Sequence, residues 1–293
     1  MAMTIPDGLP PALRRKLVRL VEIVKGLDTV LVAFSGGVDS ALLARVARDV
    51  LGERAAAVTA SSPVHPDDER DDAIALARVI GIRHRVIALD PLTLDAFRAN
   101  PPDRCYHCKR EIFGRLLREA EEMGLAAVAD GANADDARDF RPGLRAVKEL
   151  GVRSPLKEAG LTKDDIRQMS RALGLSTWDR PSRACLASRF PYGDAITRDA
   201  LRSVDQAETF LRGLGLRQLR VRRHGDTARI EVPPDEIARL ATSDARARIV
   251  ARLKQLGFTY VTLDLEGFRS GSLNEALSPE EQVRSAPSKD EQG

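Results

Sequence analysis

The stretch Val32-Ala33-Phe34-Ser35-Gly36-Gly37-Val38-Asp39-Ser40 decides how this chain folds. The apolar run Thr29–Phe34 predicts a buried strand. It breaks at Ser35-Gly36-Gly37, and helical periodicity follows from Val38 to Leu51. A helix that begins directly after a glycine turn presents unpaired backbone N–H groups and the positive end of its dipole. Together these bind an anion, usually a phosphate. Gly36 and Gly37 let the backbone turn sharply and approach that anion with no Cβ in the way. The hydroxyls of Ser35 and Ser40 add donors, and Asp39 can reach a magnesium ion. The loop lacks the lysine of GxxxxGK[ST], and it is not GxGxxG.

Outward from this loop the pattern alternates. An amphipathic helix over Pro10–Lys25 leads into the first strand. Further strands are predicted at Ala55–Ser61, His84–Ala88 and Ala126–Ala129, and helices at Asp67–Ile80, Lys109–Met123 and Lys163–Leu173. Strands separated by helices imply right-handed crossovers, so the fold class is α/β with a parallel, doubly wound sheet. Ligands of such sheets bind at the carboxyl ends of the strands, where Ser35–Ser40, Thr59–Ser62 and Asp130–Asp136 converge. Pro181–Tyr192 has no clear period and is read as a functional loop and hinge. A smaller α+β unit follows: helices at Thr197–Leu214, Pro234–Ala241 and Ser243–Leu256, and strands at Gln218–His224, Ala228–Val232 and Tyr260–Leu263. The expected domains are residues 1–180, an active-site loop and hinge over 181–196, a substrate-binding and oligomerisation domain over 197–276, and a disordered tail over 277–293.

The chain has 293 residues, 43% of them apolar but only 4% aromatic, so its core is aliphatic. With 46 basic and 43 acidic residues the net charge is +3, a near balance that counts against general nucleic-acid binding. No stretch approaches the roughly 18 apolar residues of a membrane span. With no charged-then-apolar leader at the N-terminus, the expected location is cytoplasmic. Three cysteines make a poor disulfide framework and are more at home free, catalytic or metal-bound in a reducing compartment.

Three further segments carry chemistry. Asp130-Gly131-Ala132-Asn133-Ala134-Asp135-Asp136 follows a strand and combines glycine, an amide and carboxylates able to hold magnesium. Arg104-Cys105-Tyr106-His107-Cys108-Lys109 places two thiols within reach of one metal centre, and Cys185, in Ala184-Cys185-Leu186-Ala187-Ser188-Arg189-Phe190-Pro191-Tyr192-Gly193, supplies a third. Three thiolates are one short of a full cage for a 4Fe–4S cluster and would leave one iron open. Zinc with His107, thiol redox chemistry and three inert thiols stand as alternatives. In Leu219-Arg220-Val221-Arg222-Arg223-His224, Arg220 and Arg222 share one strand face, two guanidinium forks that suit a phosphate or a solvated surface equally. Lys163–Arg167, with Thr162 as N-cap, reads first as a structural amphipathic helix.

Ser35-Gly36-Gly37-Val38-Asp39-Ser40 after a strand resembles the PP-loop of the ATP pyrophosphatases, an adenine nucleotide alpha hydrolase-like fold. Family members split ATP between the α and β phosphates, leave AMP on a substrate oxygen and release pyrophosphate. Combined with the Arg104–Lys109 and Ala184–Gly193 segments, the match becomes similar to the LarE sulfur transferases of nickel-pincer-nucleotide biosynthesis, over nearly the whole chain before the tail. Those enzymes adenylate the carboxylates of pyridinium biscarboxylic acid mononucleotide and replace oxygen with sulfur. Some sacrifice the sulfur of the cysteine matching Cys185. Others, with three cysteines, hold a 4Fe–4S cluster whose open iron carries a sulfide, and this chain resembles that branch.

The resemblance implies ATP and Mg2+ at Ser35, Gly36, Gly37, Val38, Asp39, Ser40, Ala60, Gly131, Asn133 and Asp135. It implies a 4Fe–4S cluster on Cys105, Cys108 and Cys185, and a substrate phosphate on Ser188, Arg189, Arg220 and Arg222. It gives catalytic positions to Cys185, Asp39, Glu208 and Glu231, although Glu208 also suits the surface of an amphipathic helix. The implied partners are a small-molecule nucleotide, a sulfide or other sulfur donor, and further copies of the chain in a homo-oligomer. The rivals are a PP-loop tRNA thiolase, an ammonia-dependent amidating ligase, and a non-catalytic nucleotide-binding regulator with a zinc clip.

Overall fold

The computed structural model describes residues 5–6, 8–138, 142–181, 184–269 and 271–278. Strands β1 (Val30–Ala33), β2 (Ala55–Ser61), β3 (Arg83–Ala88) and β4 (Ala127–Ala129) form an all-parallel sheet in the order β3-β2-β1-β4. The chain therefore builds outward from β1 to one edge and then crosses to the other side of β1. That reversal opens a crevice beyond the carboxyl ends of β1 and β4, where open α/β sheets bind ligands. The loops leaving those two strands are Ser35–Gly37 and Asp130–Asn133.

Strand alternation feeds two cores. Val30 and Val32 of β1 and Ala55 and Ala57 of β2 face one cluster, completed by helices α1 (Pro11–Lys25), α2 (Val38–Leu51) and α3 (Asp67–Ile80). Leu31, Ala56 and Val58 face the other, which takes Phe113, Leu116 and Ala120 from a longer helix. Both faces of the sheet are thus covered by aliphatic packing, which a period of two along each strand requires.

Between β3 and β4 run a short helix, α4 (Asp95–Arg98), and the long helix α5 (Arg104–Glu122). The sequence predicts α5 only from Lys109, because Arg104–Cys108 shows no apolar stripe. The structure starts it five residues earlier, with Arg104 and Tyr106 turned inward, so Cys105 lies in its first turn and Cys108 opens the second. After β4 come α6 (Gly143–Glu149), α7 (Pro155–Glu158) and α8 (Lys163–Ala172). The N-terminus of α8 carries a full capping box between Thr162 and Asp165, as its sequence predicts.

The remaining chain forms α9 (Arg198–Gly213), a hairpin of β5 (Arg220–His224) and β6 (Thr227–Glu231), helices α10 (Pro234–Leu240) and α11 (Ser243–Gln255), and β7 (Tyr260–Leu263), parallel to β6. Their common core also takes Leu186, Ala187 and Phe190 from the loop expected as a hinge, and Val64 and Phe97 from the first unit. Leu277, expected to open the tail, is buried instead at 8% exposure. The rest of that tail, from residue 279, lies outside the described residues.

Gly36 adopts φ +74°, and a Cβ there would lie 3.1 Å from Cα and Cβ of Ala73. Gly36→Ala is expected to lower stability by about 1–2 kcal/mol from the left-handed backbone alone. Denaturant titration reads this, and an unchanged midpoint would show that the loop relaxes into another conformation.

Candidate active site

The phosphate loop is held by its own hydroxyls. Ser40 Oγ donates to Gly37 O at 3.2 Å and lies 3.2 Å from Ser35 Oγ, which accepts from Gly37 N at 3.3 Å. Gly37 caps α2 with no side-chain hydrogen bond, so the first-turn N–H groups face the crevice, as an anion site requires. Gly131 packs directly on this turn: a Cβ on it would lie 3.1 Å from Ser40 N and 3.3 Å from Asp39 Cβ. Asn133 Nδ2 donates to Asp39 Oδ1 at 3.3 Å, and its own Oδ1 accepts from Asp135 N at 3.0 Å. The two loops therefore form one wall, and the residues picked from them by sequence lie together.

Lys163 completes this wall. Its ammonium pairs with Asp39, and its backbone N donates to Asp135 Oδ2 at 2.8 Å. By sequence, Lys163 has first a structural place in an amphipathic helix. Its signal is the placement at N1 of α8, next to a cap, where the helix start aims it back at the crevice. A cavity of about 450 Å³ opens between Asp39, Ser40, Gly131, Asn133, Asp135, Lys109 and Lys163. A second, of about 150 Å³, lies over the ends of β1 and β2 and is lined by Phe34, Thr59, Ala60, Ile112 and Leu116. Its apolar walls and strand-end backbone groups suit a planar base, and Ala60 lies within it.

Cys185 joins the phosphate loop. It shares a cavity of about 200 Å³ with Ser35, Gly36, Gly37, Asp39, Lys163 and Arg180. Its turn is anchored at every point. Leu186 N donates to Val64 O at 2.8 Å, and Ser188 Oγ to Cys185 O at 2.8 Å. Arg189 Nη1 donates to Ala184 O at 3.0 Å.

Two buried carboxylates fasten that turn. Glu208 holds Arg189 through Nε at 2.7 Å and Nη2 at 3.0 Å, and also accepts from Arg212 Nη2 and Val221 N. Glu231 holds Arg222 through Nε at 2.9 Å and Nη2 at 3.1 Å, while Arg222 Nη1 reaches Ser188 O at 2.6 Å. These contacts describe the surroundings of several expected site residues. Glu208 is fully buried, not a surface residue of α9. Glu208 and Glu231 each engage an arginine bidentately. Arg189 and Arg222 are engaged bidentately by these partners, whereas Arg220 turns elsewhere. Its guanidinium lies 4.8 Å over the Phe268 ring. Burial, with Arg189 and Arg222 nearby, brings its pKa down to about 10. A cavity of about 230 Å³ surrounds it, lined also by Arg180, Arg189, Arg212 and Arg217. Ser188 is turned to its own backbone.

The three thiols influence one another. Burial, then Cys185 and Cys105, pushes the Cys108 thiol up, and burial and Cys105 push Cys185 up. Cys105 is exposed. Among the described residues, no three His, Cys, Asp or Glu side chains are grouped to hold one metal ion. His107 faces Asp103 at 3.6 Å. The three thiols thus lie in one neighbourhood, with Cys185 at its phosphate-loop side.

A parallel sheet, a serine–glycine phosphate loop and a base pocket at the second strand define the PP-loop class of ATP-splitting enzymes. The sequence profile of the NAD synthase family matches residues 14–111. A pyridinium-3,5-bisthiocarboxylic acid mononucleotide synthase of Lactiplantibacillus plantarum is 43% identical over 91% of this chain and 96% of its own. An uncharacterised protein of Synechocystis is 47% identical over 91% of this chain and 99% of its own. A tRNA-specific 2-thiouridylase of Beijerinckia indica is 29% identical over 59% of this chain and 49% of its own. The chain belongs to the LarE family, the pyridinium-3,5-bisthiocarboxylic acid mononucleotide synthases.

Glu208→Gln should destabilise the fold by about 3–5 kcal/mol, since it leaves the Arg189 charge buried without its partner. Thermal unfolding reads this; a loss under 1 kcal/mol would mean that water or another acid takes over. In metal-free protein, Cys105 should alkylate well before Cys108 and Cys185 at pH 8, as read by mass spectrometry. The raised thiols also give a pH dependence. Their folded-state proton affinity stabilises the fold below the ordinary thiol value of 9.0, and that contribution is lost as pH rises above it.

Proposed function

We propose that this chain is an ATP-dependent sulfur transferase that adenylates a carboxylate of pyridinium biscarboxylic acid mononucleotide, releases pyrophosphate, and converts the carboxylate to a thiocarboxylate. One observation carries this reading: the Cys185 side and the phosphate loop line a single cavity. An enzyme that only adenylates has no use for a cysteine there.

ATP would place its base against Ala60 and its phosphates on the N–H groups of α2. The substrate carboxylate attacks the α-phosphorus, and the bond to the bridging oxygen of pyrophosphate breaks. Lys163 and the helix N-terminus neutralise the charge that moves onto pyrophosphate. Asp39 and Asp135 are the acids that would hold magnesium, which supplies further neutralisation. Adenylation turns a very poor electrophile into an acyl phosphate anhydride. A sulfur nucleophile beside Cys185 then attacks the acyl carbon, and the C–O bond to AMP breaks. Throughout, Arg220 in its arginine-lined cavity would hold the substrate phosphate, and fixed positioning accounts for most of the rate.

Cys105, Cys108 and Cys185 would hold a 4Fe–4S cluster, which supplies an open iron able to carry an exogenous sulfide. Exposed Cys105 favours a reducing compartment, hence a cytoplasmic protein. No described helix is long and apolar enough to cross a membrane. We assign substrate binding and self-assembly into a homo-oligomer to the unit from α9 onward. The tRNA thiolase reading has less support: the resemblance covers 59% of the chain, and the charge is nearly balanced.

Anaerobically prepared protein supplied with the biscarboxylated nucleotide, ATP and sulfide should release pyrophosphate and AMP and form thiocarboxylate. Cys185→Ala should abolish the thiocarboxylate while pyrophosphate release persists. Equal loss of both products would reduce Cys185 to a structural part, and the absence of AMP from the wild type would remove the reading.

A further inference from the structure

Among the described residues three arginines are buried to 4% exposure or less: Arg104, Arg189 and Arg222. Arg189 and Arg222 each have a glutamate. Arg104 does not. It is the first residue of α5, directly before Cys105 and one helical turn from Cys108. Its guanidinium stacks 4.8 Å from the Tyr192 ring centroid, and Nε and Nη1 are buried without a hydrogen-bond partner among the described residues. The stacking partner is deliberately held. Asn100, fully buried and in the left-handed region at φ +53°, donates through Nδ2 to Pro191 O at 2.6 Å and fixes the segment that carries Tyr192.

A guanidinium removed from water without a counter-charge is strongly unfavourable. The face of an aromatic ring offsets only part of that. Cys105 follows it directly on α5 and Cys108 lies one turn on, and its charge acts on Cys108, on Cys185 and on the hydroxyl of Tyr192, which is neutral and supplies no counter-charge. Protonated thiols are neutral and leave the cation uncompensated. Thiolates supply the missing charge, and three of them need a positive neighbour as much as Arg104 needs an anion.

We propose that Arg104 is a fixed buried cation that balances the thiolates of Cys105, Cys108 and Cys185 when they hold an iron–sulfur cluster. The inference rests on the cluster reading above. Arg104 acts through the sulfurs and touches neither ATP nor the substrate phosphate. Reduction of a cluster adds negative charge, and a nearby cation favours the reduced form. Removing it shifts the midpoint potential downward.

The test uses wild-type, Arg104→Met and Arg104→Lys protein, reconstituted anaerobically with iron and sulfide. Iron content and the midpoint potential, followed through the visible absorption band, are measured for each. A loaded Arg104→Met with a more negative potential than wild type, and Arg104→Lys between them, supports the proposal. So does loss of iron in Arg104→Met with retention in Arg104→Lys. An unchanged potential in loaded Arg104→Met overturns it, as does equal loss of iron in both variants, since a purely packing role moves assembly and not potential. A wild type that takes up no iron removes the cluster reading itself, and this inference with it.

Discussion

Two buried arginine–glutamate pairs hold the turn that carries Cys185. Arg189 is gripped by Glu208 of α9, and Arg222 of β5, gripped by Glu231 of β6, reaches over to the carbonyl of Ser188. Both pairs are bidentate, which fixes direction as well as distance. Such pairs contribute little net stability, because desolvating four charged groups offsets their attraction. Their value lies in geometry. They tie a loop with no regular structure of its own to the hairpin and helix of the second core, so that the thiol opens onto the phosphate loop of the first.

The parallel sheet and the phosphate loop were legible because they depend on local rules. A period of two, a glycine turn and a helix start are written in adjacent residues, and Ser35–Ser40, Gly131 and Asn133 fell where strand ends must meet. The roles of the arginines were not legible in that way. Arg189 and Glu208 are 19 residues apart and meet only through the packing of α9. Arg222 and Glu231 meet diagonally across a hairpin whose register pairs Arg220 with Glu231. Counting out from the Gly225-Asp226 turn would have found that neighbour. The early start of α5 escaped detection because Arg104 is buried, against the usual rule that charge faces water.

The site separates two kinds of anion. One cradle is made of the backbone N–H groups at the start of α2 with Lys163 beside them, the other of guanidiniums around Arg220. Peptide groups cannot lose or gain charge, so the first cradle draws most of its field from fixed dipoles. The second concentrates five arginines, four of them paired with carboxylates, Arg189 and Arg212 with Glu208, Arg180 with Asp72 and Arg217 with Asp179, while Arg220 lies over the Phe268 ring.

Helix α5 begins with Cys105 and Cys108 and, one turn further on, lends Ile112 and Leu116 to the base pocket. One rigid rod therefore spans both halves of the chemistry, with a rise of about 1.5 Å per residue. Surface loops elsewhere can lengthen or shorten freely. A single residue inserted between Cys108 and Ile112 would swing the thiols by about 100° relative to the nucleotide. The count of residues along this helix is thus a measuring stick that evolution cannot recut without turning Cys105 and Cys108 away from the side that faces the pocket.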